Sequence, residues 1–326
     1  MIRRLLRARE TALFAILVAL FIGFSLTNEA FLDWFSIFER TRHWVVPGML
    51  AIPMTFIIAT AGIDLSVGAI VALCSVVFGL LYQNAGWPVP AAATAAILTG
   101  LAAGSFNGAV SSFLAIPPLV VTLATMTLFR GLAFGLSEAS NISNFPANFL
   151  WISQGDLFEF PAGEAGPVFF PVPVLALILV VGLGHTLLRH AWVGRHTECI
   201  GENPTAARFA AVPVNKLLFA LYAASGLVAG IAALFFTAQY GTAKADAGTG
   251  LELEAIACVV IGGTRISGGQ GSVIGSLLGL LIIGMLRYGL ELAGMPMQYI
   301  VIVVGFLLIA TAVLNEWMAR RGGTRS

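Results

Sequence analysis

Apolar residues in this chain fall into long runs separated by short polar stretches. Nine runs come close to the length of a bilayer-crossing helix: 11–26, 44–61, 66–82, 89–110, 118–137, 171–188, 216–237, 272–290 and 296–314. Such a helix needs roughly 20 apolar residues. A tenth stretch, Leu253–Gly263, is apolar but too short to cross comfortably alone. It is predicted as a short or broken helix, which lipid tolerates only where protein or a water-filled cavity surrounds the loose backbone. Two further interruptions are predicted near Gly62–Ser66 and Gly262–Gly271, where apolar sequence stops at Gly and Ser and then resumes. The two stretches echo one another loosely, A-T-A-G-I-D-L-S-V-G against I-G-G-T-R-I-S-G-G-Q-G-S-V-I-G. Paired interruptions of this kind occur in transporters built from related halves.

Charge fixes the expected orientation. Arg3, Arg4, Arg7 and Arg9 precede the first run, and Arg320, Arg321 and Arg325 follow the last. Basic residues collect on the cytoplasmic side. Both tails, 1–10 and 315–326, are therefore expected in the cytoplasm, which requires an even number of crossings, and ten satisfies it. The segment 138–170 carries Glu138, Asp156, Glu159 and Glu164 without a Lys or Arg, so it is expected outside. The segment 189–216 carries Arg189, Arg195, Arg208 and Lys216, and 264–271 carries Arg265, so both are expected inside. No small-x-small cleavage pattern follows Leu26, so the first run is predicted as a membrane helix and not a signal peptide.

Composition agrees with this class. Of 326 residues, 58% are hydrophobic and 10% charged, and 36 are glycines. Soluble domains carry about 25% charged residues. The fold class is all-α, a polytopic integral membrane protein of about ten helices. A net charge of +1 points to no nucleic-acid partner. Cys74, Cys199 and Cys258 make no C-x-x-C, and the four histidines make no H-E-x-x-H, so no metal site is indicated. No G-x-x-x-x-G-K-[ST] occurs, and the two lysines, Lys216 and Lys244, follow no phosphate loop. The chain is not expected to bind or hydrolyse ATP, and no cofactor is indicated.

Three groups of residues carry candidate chemistry. Asp64 and Ser66 sit between two runs, where a carboxylate either caps the following helix or lines a path for a polar solute. Arg130, Asn107 and Thr122 are polar residues within apolar runs. Arg130 either reaches the interface, pairs with a buried acid or lines the pathway; interhelical bonding is the simpler role for the other two. The third group lies in T-E-C-I-G-E-N-P-T-A-A-R-F-A-A-V-P-V-N, 197–215. Asn203 and Pro204 open a short helix as cap and first residue, and Pro213 ends it. It is either a docking element or an ordinary surface helix.

Four stretches together resemble the permease subunits of bacterial ATP-binding cassette importers for ribose and related sugars. They are A-G-I-D-L-S-V-G-A-I-V-A-L, I-G-E-N-P-T-A-A-R-F-A-A-V-P-V-N, A-I-A-C-V-V-I-G-G-T-R-I-S-G-G-Q-G-S-V-I-G and V-V-T-L-A-T-M-T-L-F-R-G-L-A. Within that family the chain looks most like the autoinducer-2 and rhamnose permeases. Ala61 departs from the Gly-Gly that commonly precedes I-D-L-S. The resemblance implies one permease domain over 1–326 in the inner membrane. It implies a second permease subunit, identical or paralogous, a cytoplasmic ATPase that binds the ATP, and a periplasmic binding protein. It also implies that Gly201, Glu202, Asn203, Pro204, Ala206, Ala207 and Phe209 meet the ATPase. An ion-coupled secondary transporter using Asp64 and Arg130 is the alternative. An intramembrane enzyme is poorly supported, because no catalytic pair appears in the runs.

Overall fold

A computed structural model of the protein describes residues 2–161 and 167–322. Glu164 and Arg325 lie outside them. In chain order the helices are α1 (Ile2–Thr27), α2 (Trp34–Ala59), α3 (Val67–Gln83), α4 (Val89–Phe113), α5 (Pro118–Ser137) and α6 (Ala147–Gln154). A hairpin of β1 (Asp156–Pro161) and β2 (Pro167–Pro171) follows. Then come α7 (Val172–Arg189), α8 (Trp192–Glu202), α9 (Pro204–Phe209), α10 (Val214–Tyr240), α11 (Leu251–Ile261), α12 (Val273–Leu292) and α13 (Met297–Gly322). All ten apolar stretches are helices. Among the described residues seven helices, α1, α2, α4, α5, α7, α10 and α12, are long and apolar enough to cross a membrane on their own. This is a multi-pass, all-α membrane protein carrying one small hairpin.

Hydrogen bonds between distant segments define two ends of the bundle. At the proximal end Arg9 donates to the Gly263 carbonyl, and the Ser272 hydroxyl donates to Glu10 at 2.6 Å. Arg189 lies 3.9 Å from Glu10, which brings the end of α7 to the same place. At the distal end Asn28 donates to the Leu292 carbonyl, and Gln83 to the carbonyls of Ser143 and Asn144. Gln154 donates to Ala238 there, and Arg40 pairs with Glu291. The segments 189–213 and 262–272 therefore share the end where α1 begins, and 138–161 and 167–171 lie at the other.

α2 starts ten residues before its apolar run, because Asp33 caps it by accepting from the Ser36 N–H at 3.2 Å. Its first turns carry charge that a hydropathy scan passes over. Arg42 there is buried and donates to the carbonyls of Ser153 and Gly155 at 2.8 and 3.0 Å and to Asp156 at 2.6 Å. That clamp ties the hairpin to the bundle. The rest of α2 is the central helix, buried almost throughout although it contains Pro47 and Pro53. Neighbouring helices supply the support that an interior proline needs in lipid.

α4 and α10 meet backbone to backbone. A methyl added at Gly100, Gly104 or Gly108 would strike main-chain atoms of Gly226, Tyr222 or Phe219. This is small-residue packing at four-residue spacing, and dispersion between closely approached backbones holds it together where lipid removes the hydrophobic driving force.

The short crossing proves more irregular than its sequence suggests. α11 has 11 residues, roughly 16 Å at 1.5 Å per residue, about half a bilayer core. The segment 241–250 covers the other half without helix or strand, except for a bridge of Ala243 to Ile142. Gly250 takes φ 90°, a conformation nearly closed to other residues, and α11 begins immediately after it.

Candidate functional site

The interruption between α2 and α3 gathers four of the five polar residues singled out in the sequence. Ser66 donates to Asp64 Oδ1 through its N–H at 3.0 Å and its hydroxyl at 2.6 Å. Asn107, on α4, donates to the Ser66 hydroxyl at 2.7 Å. Thr122, on α5, donates to the Ile63 carbonyl at 3.1 Å. Asp64, Ser66, Asn107 and Thr122 are all fully buried. Sequence reasoning missed the partner on α10: the Ser225 hydroxyl donates to Asp64 Oδ2 at 3.1 Å. Ser225 stands in the small-residue run A-A-S-G-L-V-A-G, which reads as helix packing, so nothing marked it as a partner for an acid.

Asp64 therefore binds the segment to itself and to α10. It does not bond the free N–H groups of the first turn of α3, and Ser66, the residue before Val67, makes no side-chain cap bond either. The carboxylate closes a tight turn ahead of the helix, an Asx-type arrangement. None of the ion pairs among the described residues involves Asp64. Two buried polar atoms beside it, Asn107 Oδ1 and Tyr222 Oη, have no partner among the described residues. Ala61, the departure from Gly-Gly, sits at φ 63°. An L-residue pays about 1–2 kcal/mol for that left-handed conformation.

Arg130 is not at this site. Its Nη1 donates to the carbonyls of Ala245 and Ala247, at 2.9 Å for the first, in the irregular half of the short crossing. Glu252 and Asp246 supply the nearby negative charge. The guanidinium satisfies backbone groups that would otherwise be stranded in an apolar bundle. The structure thus gives Asp64 and Arg130 separate partners at separate interruptions.

The two interruptions at the proximal end touch each other and α8. The Gly269 N–H donates to the Ala59 carbonyl at 2.9 Å. A methyl on Gly201 would collide with the Ala59 carbonyl and the Gly269 nitrogen. The last turn of α8 is therefore wedged between the end of α2 and the loop before α12. On α8, burial pushes the Glu198 carboxyl above its ordinary range, opposed by Arg189 and by the Gly271 N–H it accepts from.

α9 starts as its sequence predicts, with Asn203 accepting from Thr205 and Ala206 N–H at 3.0 Å and Pro204 in the first turn, but it ends at Phe209, and Pro213 stands instead before α10. Glu202, Asn203, Pro204 and Ala206 are exposed, and Phe209 is 89% exposed. Ala207 differs from the expectation of a displayed contact. It is 0% exposed and packs into the chain's own core, because its turn of α9 faces α10. Gly201 is likewise committed to internal packing.

Interrupted helices within a multi-pass bundle, joined at one end to an exposed helix pair, are the architecture of a membrane transport protein. Residues 37–312 match the family described as branched-chain amino acid transport system / permease component, and the chain belongs to this family of transport permeases. Its motifs resemble the sugar-importer branch of such permeases. It is 34% identical over 328 residues to the autoinducer 2 import system permease protein LsrD of Escherichia coli (strain K12), covering 96% of both chains. The same protein from Shigella flexneri gives the same figures, and that of Escherichia coli O157:H7 is 33% identical over the same span. No solved structure matches the chain.

Proposed function

We propose that this chain is the pathway subunit of an ATP-driven importer for a monosaccharide or a furanose-like solute of the ribose, rhamnose or autoinducer-2 type. The observation that carries the reading is full-length similarity, 34% over 96% of both chains, to permeases of autoinducer 2 import. A periplasmic binding protein delivers the solute, and a second permease subunit, identical or paralogous, completes the pathway. A cytoplasmic ATPase binds the ATP. The basic residues gathered at the proximal end, among them Arg9, Arg189, Arg208 and Arg265, support placing that end and both termini in the cytoplasm of an inner-membrane protein.

The geometry suggests how force reaches the pathway. Glu202, Asn203, Pro204, Ala206 and Phe209 form the face offered to the ATPase. Movement of that face passes through Gly201 to the ends of two crossings at once, Ala59 of α2 and Gly269 before α12. The turn held by Asp64 follows directly from Ala59. Alternating access is the displacement of these interruptions between two arrangements.

The test is uptake of labelled D-ribose, L-rhamnose and autoinducer 2 by cells with and without the chain. One solute should require the chain, stop when ATP is depleted and continue with an uncoupler while glycolysis supplies ATP. Uptake abolished by the uncoupler at normal ATP would replace this reading with the ion-coupled one.

A further inference from the structure

At the distal end, above the irregular half of the short crossing, α2, α10, α11 and α12 enclose a cleft of about 250 Å³. It has room for about eight waters at roughly 30 Å³ each, or for one ring-sized solute. Its charge is internally balanced. Arg40 pairs with Glu291, and Arg287 pairs with Glu254 at 2.8 Å. The lining thus favours neither an anion nor a cation. It is nevertheless rich in directional groups. Gln239 and His43 share a hydrogen bond at 2.9 Å, and the Arg287 Nε–H has no partner among the described residues. Trp44 and Tyr240 add aromatic surface to the same walls.

We propose that this cleft is a resident binding site for one neutral, polyhydroxylated solute of monosaccharide size. The class follows from the lining. Carboxylates and guanidinium groups that already neutralise each other can still accept from and donate to hydroxyls. Aromatic faces cover the apolar C–H side of a ring. A charged solute would break one ion pair and leave its partner uncompensated, which is costly in a partly buried site. Leu251, the first residue of α11, lies at the cleft, so an occupant sits directly over the broken crossing. The inference rests on the importer reading and adds where within this chain the solute pauses.

The test uses the purified full chain in lipid nanodiscs, titrated with D-ribose, sodium D-gluconate and D-glucosamine. Trp44 emission is isolated as the difference between the unaltered chain and Trp44→Phe. D-ribose should give saturable quenching, and the two charged analogues should not. Gln239→Ala and Glu254→Gln should each raise the half-saturating concentration about fivefold, the equivalent of one hydrogen bond. No saturable quenching, equal response to the charged analogues, or unchanged titrations in Gln239→Ala and Glu254→Gln would overturn the site. Chain-dependent sugar uptake combined with no quenching sinks the cleft alone. Quenching that meets these criteria without chain-dependent uptake leaves the site standing and sinks the importer reading.

Discussion

Asp64 is held by three donors from two residues, Ser66 and Ser225. That pattern makes the acceptor oxygens, more than the charge, the feature the fold uses. Asn keeps one oxygen for the two Ser66 donors, and its amide can donate to the Ser225 hydroxyl. Asp64→Asn is therefore expected to retain more than half of sugar uptake at matched membrane expression. Asp64→Ala strands donors at about 1–3 kcal/mol each and should lose most uptake and lower the melting temperature. Equal and complete loss in both variants, with normal folding, would mean that titration of the carboxylate is needed. Arg130 belongs to the same scale with a different partner set, the backbone carbonyls of Ala245 and Ala247. Which polar residue meets which was not legible from the chain. Asn107 and Thr122 were visible as polar positions, but only the arrangement of α4 and α5 around residues 60–66 brings them to Asp64 and leaves Arg130 elsewhere.

At the scale of elements, the α8–α9 pair and the α4–α10 seam make separable demands. Phe209 is 89% exposed, so Phe209→Asp should leave insertion and thermal stability unchanged while reducing uptake about tenfold, through loss of roughly 1.4 kcal/mol of docking. Normal uptake with the ATPase still co-purifying would remove α9 from the docking face. In the seam, Gly104→Leu forces α4 and α10 apart and should cost about 1–3 kcal/mol or more. A Cβ added at Gly131 meets nothing within 4 Å, so Gly131→Leu should be neutral. Melting in detergent compares the two, and equal stability would show that the helices are not in backbone contact. Helices themselves were largely legible because apolar length and caps are local signals; Asn203-Pro204 marked the start of α9, whereas its end at Phe209, four residues before Pro213, was not marked. The hairpin, α6 and the irregular segment 241–250 were not, since each is stabilised by partners far away in sequence, such as Arg42 and Arg130. The inward turn of Ala207 was equally hidden, because small residues surround it on every side of the helix.

For the whole molecule, sidedness is the first thing to measure. Asn148 is exposed at the distal end, whereas Ser153, five residues on, is 1% exposed and unsuitable as a probe. A cysteine at Asn148 should react with a membrane-impermeant thiol reagent in intact cells. One at Ile266, at the proximal end, should react only after the membrane is opened. The reverse pattern would invert the assigned orientation. The crossing formed by 241–261 bears on how the nascent chain enters the membrane. With only 11 helical residues, and the acids Glu252 and Glu254 in its first turn, α11 is too short to partition into lipid alone as it leaves the insertion machinery. It must wait outside until later sequence pulls it into place. A reporter fused after Gln270, in a chain cut there, should read as external, although position 266 of the complete protein is expected to read as internal. That reading would mean that newly made α12 draws α11 inward against partners already assembled, and that this stretch acquires its topology after translation has passed it.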